Sequence, residues 1–182
     1  MYDILAQAVG IVAMVFNIFS YQRKSAKGII AFQLFGGLFF CVNYFLLGAY
    51  IGMLLNGIAA VRAILFLKKE TFHTDKFGWL IGFGAAYVAA YVLNFTVFGK
   101  EPTAFHLIIE CLPVIAMFAT HLAYRYDSPK TIRRLCLISS VSWLIFNITA
   151  VAIGAILCEV FSLISILIAV VRLDKKEQEE KT

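Results

Sequence analysis

Apolar and polar positions fall in long blocks along this chain, with neither the two-residue alternation of strands nor the one-sided stripe of soluble helices. Seven apolar runs, at residues 4–21, 28–47, 50–67, 77–97, 104–123, 131–151 and 153–172, each have the roughly 17–25 residues a helix needs to cross a bilayer. Short clusters of Lys, Arg and Asp separate most of them. Between runs two and three, and between six and seven, the break is only a few small residues around Gly48 and Gly154, which predicts two tight hairpins. The expected fold is an all-α membrane protein with seven transmembrane helices.

Composition agrees. The hydrophobic fraction is 62% and Phe alone occurs 17 times, with a mean hydropathy of +0.86, against about 45–50% apolar in ordinary soluble domains. The net charge of +5 sits mainly in the short loops, where head groups and topology signals act, so nucleic acid is not an expected partner. Fourteen Lys and Arg fall on one side (Arg23, Lys24, Lys27, Lys68, Lys69, Lys76, Arg125, Lys130, Arg133, Arg134, Arg172, Lys175, Lys176 and Lys181), one, Lys100, on the other, and Arg62 within a span. This bias predicts an outside N-terminus, a cytoplasmic C-terminus and an odd number of spans. The start, MYDILAQAVGIVAMVF, lacks a basic n-region, so no cleavable signal peptide is expected. Cys41, Cys111, Cys136 and Cys158 lie inside apolar runs without metal-ligand spacing and read as buried thiols.

A shift of 103 residues aligns two regions without gaps. Ala13-Met14 falls on Ala116-Met117, Leu34 on Leu137, Phe40 on Trp143, Leu54 on Leu157 and Asn56 on Glu159. Tyr21, Ser25 and Lys27 fall on Tyr124, Ser128 and Lys130, a polar match at the same hairpin of each copy. Three spans per copy would invert the second, and span four restores its direction. The expected organisation is therefore a 3+1+3 parallel repeat: residues 1–70, a linker helix in 71–100, residues 101–174, and a tail at 175–182.

The stretch from Phe40 to Asn56 carries an aromatic, then Leu46-Leu47-Gly48, then an Asn eight residues after the Gly, and Trp143 to Glu159 repeats the spacing. With the 3+1+3 plan, this resembles the SWEET and SemiSWEET sugar transporters, a superfamily that includes PQ-loop proteins. In length, in the N-terminal AQAVGIVA and in overall plan the chain looks most like the YgjV family of bacterial inner-membrane proteins, which implies location in that membrane. The Pro-Gln pair of PQ-loop proteins is absent; Arg23-Lys24 and Tyr126-Asp127 stand in its place. The superfamily's binding-site Asn matches Asn56 but becomes Glu159 in the second copy, which brings an ionisable group into the implied site.

Polar groups inside hydrocarbon each need an account. A charge at Glu159 costs about 2.5–3.5 kcal/mol on insertion scales, so it reads either as a protonatable group lining a solute cavity or as a neutral acid fixing packing. Ser162 and Ser165 follow on what is expected to be its face. Asn56 reads as a cavity amide or as glue between helices. Trp143 and Asn147, four residues apart, share a face with Ser139; with their repeat partners Phe40 and Tyr44 they form an aromatic wall suited to a sugar, nucleoside or other planar-faced solute. Asn43 is a further candidate. Arg62 either snorkels to head groups or meets a carboxylate. Glu110 and His106 face the outer interface or gate it and admit protons. Asn17 and His121 lie near cytoplasmic helix ends. Pro113 is a kink, static or a hinge. No catalytic constellation, metal site or cofactor motif occurs.

The expected function is alternating-access transport of a small polar solute, bound by Asn56, Glu159, Trp143, Asn147, Phe40, Asn43 and Tyr44, with Glu159 and Glu110 as candidates for proton coupling. The rival readings are a non-transporting receptor or scaffold of the same fold and a vitamin or nucleoside transporter. The expected partners are the solute and the bilayer, with a homo-oligomer left open.

Overall fold

The computed structural model describes residues 2–21, 26–74, 76–123 and 129–170. The loops and tail that carry Arg23, Lys24, Arg125 and Arg172 onward, and the Tyr–Ser–Lys match at 21–27 and 124–130, lie outside the residues whose placement or side chains it describes.

Every regular element among the described residues is helical: α1 (Tyr2–Tyr21), α2 (Ala26–Leu46), α3 (Tyr50–Leu67), α4 (Lys69–Phe72), α5 (Phe77–Thr96), α6 (Ala104–Ala123), α7 (Pro129–Thr149) and α8 (Ile153–Ala169). Helices satisfy their own backbone groups, as an apolar solvent demands. Three of them, α3, α5 and α6, are long and apolar enough to cross a membrane; α1, α2, α7 and α8 contain apolar segments of 16–17 residues. The seven long helices fall on the seven apolar runs, with ends displaced by a few residues. The eighth, α4, is a single turn that the hydropathy pattern does not foreshadow, closed by His73 in the left-handed region (φ 48°).

The helices pack in the cyclic order α1–α2–α3–α6–α7–α8 and back to α1, while α5 lies outside this ring against α3 and α6. The outward faces are apolar: Ile4, Phe45, Ile81, Ile108, Ile148 and Ile168 are all more than half exposed. An apolar surface of this extent requires lipid rather than water around it.

The two hairpin turns are built alike. Ala49 N–H donates to Tyr44 O and Met53 N–H to Ala49 O; Ala152 N–H donates to Asn147 O and Ile156 N–H to Ala152 O. Each bond in the first turn recurs in the second with both partners 103 positions later, counted by residue number. The left-handed residue recurs too, as Gly48 (φ 68°) and Val151 (φ 52°). Glycine adopts that region freely, whereas a β-branched residue is strained there.

Two seams of the ring, α1–α8 and α3–α6, differ. At α1–α8, Gly154 lies against the backbone of Gly10, so close that a Cβ on Gly154 would fall 2.2 Å from Gly10 C. Gln7 clasps the same seam: its Nε2 donates to Val151 O (2.8 Å) and its Oε1 accepts from Ile153 N–H (2.9 Å). The residues 103 positions from Gly154 and Gly10 are Ile51 of α3 and Pro113 of α6, and α5 packs against both helices of the α3–α6 seam. The α6 helix runs without interruption through the buried Pro113.

Candidate functional site

Tyr44 occupies the middle of the ring near the hairpin end. Its ring lies flat on α3, possible because residue 52 is Gly: a Cβ there would sit 2.7 Å from Tyr44 Cγ. From this seat its hydroxyl donates to Asn147 Oδ1 of α7 at 2.6 Å. The ring stacks on Trp143 (6.0 Å between centroids, 18°), with Phe146 and Phe40 at 6.0 and 6.1 Å. Helices α2 and α7, opposite each other in the ring, thus meet through long side chains. Tyr44 and Asn147 are themselves 103 residues apart, the spacing of the sequence shift. Asn147 is fully buried and its Nδ2 has no hydrogen-bond partner.

The expected site residues divide into groups. Phe40, Tyr44, Trp143 and Asn147 are brought together. Glu159, partly buried on α8, hydrogen-bonds Ser140 of α7 and lies within electrostatic reach of Tyr44. Asn56 turns back on its own helix, its Nδ2 donating to Gly52 O at 2.9 Å, and lies beside Gly37 of α2. Gly37 and Ser140 are again 103 apart; Asn56 bonds within α3, and Glu159 bonds α7. Asn43 is fully buried but belongs to the α1–α2 contact, donating to Ala6 O at 2.7 Å. Asn17 likewise bonds locally, to Ala13 O, and packs over Gly36.

Three expectations need correction. Ser162 is buried but Ser165 is exposed: six residues at about 100° each carry Ser165 some 120° around the helix from Glu159, so only Ser162 stays on the inner side. Arg62 does not snorkel. It is buried, and its Nη1 donates to Tyr87 OH of α5 at 3.0 Å, with His121 Nδ1 of α6 3.4 Å from the same hydroxyl. Phe66 and Phe83 enclose this group edge-on and tilted. A cavity of about 50 Å³ beside it is lined by Gln33, Ala59, Arg62 and Phe66. Glu110 does not face the interface but is buried (4% exposed).

Around Glu110 lies the larger cavity, about 410 Å³, at the hairpin end of the α3–α6 seam. Its lining includes Lys100, Phe105, His106, Glu110, Phe146 and Thr149, together with both hairpin turns. Lys100 Nζ pairs with Glu110 Oε1 at 3.1 Å, and Asn94 Nδ2 of α5 donates to Glu110 Oε2 at 3.2 Å. Phe146 connects cavity and plug: it lines the first and touches Tyr44 and Trp143 of the second. Neither cavity is lined by Asn56 or Glu159.

Sequence reasoning missed Lys100, Asn94, Phe146 and Tyr87. Lys100 was legible only as the lone cation of its side. That isolation, with Asn94 and Glu110 as polar residues within a turn or two of the same loop, was the available signal. Phe146 and Tyr87 are aromatics among many and carry no signal without the packing.

Against models of protein families, residues 4–177 match Imp-YgjV, described as bacterial inner membrane protein. No curated protein and no solved structure matches the chain.

Proposed function

The chain belongs to this family of bacterial inner membrane proteins, and from that premise we propose that it transports a small polar solute by alternating access between two parallel three-helix repeats, α1–α3 and α6–α8, joined by α5. The recurrence of the hairpin hydrogen bonds and of the left-handed turn residue at a spacing of 103 supports the repeat. So does the cyclic packing, in which α1–α2 corresponds to α6–α7 and α1–α8 to α6–α3. The seven long helices are the spans. Lys68, Lys69, Lys76 and Arg134, all exposed at the end away from the hairpins, mark the cytoplasmic side and leave the N-terminus outside.

The observation that carries the reading is the cavity of about 410 Å³ that opens at the hairpin end and stops at the aromatic plug. Its volume falls in the range of small-ligand sites, about 300–1,000 Å³. A cavity accessible from one end and closed at mid-ring by side chains from opposite repeats fits one state of an alternating-access cycle. The Tyr44–Asn147 bond and the Tyr44–Trp143 stack are the contacts that part when the halves rock. The α1–α8 seam, held at Gly10–Gly154 and by Gln7, is the fulcrum, and the looser α3–α6 seam with Pro113 is where the path opens. Glu159, behind Tyr44, supplies the protonatable group.

Counterflow in proteoliposomes loaded in turn with sugars, nucleosides and amino acids tests this. The expected result is saturable flux of one class, reduced at least tenfold by Tyr44→Ala. Solute binding by the reconstituted protein without flux of any class would refute transport and leave a receptor.

A further inference from the structure

The lining of the larger cavity points to the chemical class of the solute. We infer that this cavity is a recognition site for a small zwitterion with adjacent ammonium and carboxylate groups, an α-amino acid headgroup, which Glu110 and Lys100 take up by exchanging their mutual ion pair for two pairings with the ligand. This rests on the transport reading only for its consequence; the site is argued from its own geometry.

The two charges are held differently. Glu110 is buried, and Asn94 fixes one carboxylate oxygen at 3.2 Å while Lys100 takes the other at 3.1 Å. Lys100 has 38% of its side chain exposed and reaches the carboxylate from the loop after α5 on a flexible four-carbon stem. Glu110 is therefore the anchored partner and Lys100 the one free to swing. Both line the cavity, with the apolar walls of Phe105, Ile109 and Phe146 beside them.

Opening such a pair exposes a buried carboxylate that must find a new cation, and an ammonium that must find a new anion. A cation alone would displace Lys100 and leave it unpaired in the cavity. An anion alone would capture Lys100 and strand Glu110. A neutral solute compensates neither charge, so the pair stays closed. Only a ligand bearing both charges restores both pairings with no change in net charge. Its ammonium meets Glu110, its carboxylate meets Lys100, and its side chain lies along Phe105 and Phe146. Among the described residues, the charges lining this cavity are Lys100 of the α5–α6 loop and Glu110 of α6; His106, whose Nδ1 lies 2.8 Å from Glu101 O, is the titratable ring beside them.

The test is calorimetric titration of the full-length protein in lipid nanodiscs with four probes: L-alanine, its cationic amide, its anionic N-acetyl derivative and D-glucose. L-alanine is expected to bind at least tenfold more tightly than the other three, about 1.4 kcal/mol. In Lys100→Met the preference should turn to the cationic amide, because the anchored Glu110 remains. A lysine that only braces the loop would not reverse selectivity. Equal or weaker binding of L-alanine than of glucose, or Lys100→Met with unchanged preference, overturns the inference while leaving transport of another solute intact. Conversely, alanine binding with the expected reversal but no flux of any class of solute upholds the site and refutes transport.

Discussion

Placing a methyl group at residue 154 should do more harm than its size suggests. The Cβ of Gly154→Ala would lie 2.2 Å from Gly10 C, 2.4 Å from Gly10 O and 2.6 Å from Ile11 N, all backbone atoms of a packed helix that have no rotamer to escape into. Ordinary contact begins at 3.4 Å, so α1 and α8 must part locally by about 1 Å, comparable to the overpacked cores that cost about 1–3 kcal/mol. The same separation stretches the two Gln7 bonds, now 2.8 and 2.9 Å, each worth about 0.6 kcal/mol by the average for polar contacts inside membranes. The loss should total about 2–4 kcal/mol. Reversible unfolding in mixed detergent micelles, followed by far-ultraviolet circular dichroism, measures it. Gly82→Ala is the control: nothing lies within 4 Å of its Cβ, and replacing a mid-helix Gly should be neutral or stabilising by up to about 1 kcal/mol. If Gly154→Ala costs under about 0.5 kcal/mol, the seam is not closed on backbone contact and cannot be the fulcrum.

Three further outcomes follow from particular residues. Val151→Gly should relieve the left-handed strain that Gly48 avoids in the matching turn, a change of about 1 kcal/mol toward stability in the same unfolding assay; a loss would show that the turn is not strained. Tyr87→Phe removes the hydroxyl that accepts from Arg62 at 3.0 Å and should destabilise by about 1–3 kcal/mol, because it takes an acceptor from a buried cation; an effect within error would mean that Tyr87 does not hold Arg62. Glu159→Gln should remove the pH dependence of flux while preserving exchange, since the amide keeps a hydrogen-bonding partner for Ser140 but cannot release a proton; an unaltered pH profile removes Glu159 from coupling.

Much was readable in one dimension because a bilayer imposes a simple rule. Backbone polar groups must be satisfied within each apolar helix and most outward side chains must be apolar, so the number and approximate ends of the long helices follow from hydropathy alone. The seven runs accordingly meet the seven long helices. The 103-residue shift is a property of the sequence itself, and it pointed to Phe40, Tyr44, Trp143 and Asn147 before any contact was known. What composition and periodicity could not convey is which polar residue meets which. Asn56 and Glu159 are matched by the 103-residue shift, yet one bonds a carbonyl of its own helix and the other a serine of α7. Arg62 looked like a snorkelling cation until α5 brought Tyr87 over it, and Lys100 was only a charge to be counted until the loop after α5 folded it onto Glu110. Hydropathy depends on a residue's own side chain; pairing depends on where six helices close into a ring, and the two seams of that ring differ through a Gly–Gly contact on one side and a covering helix on the other.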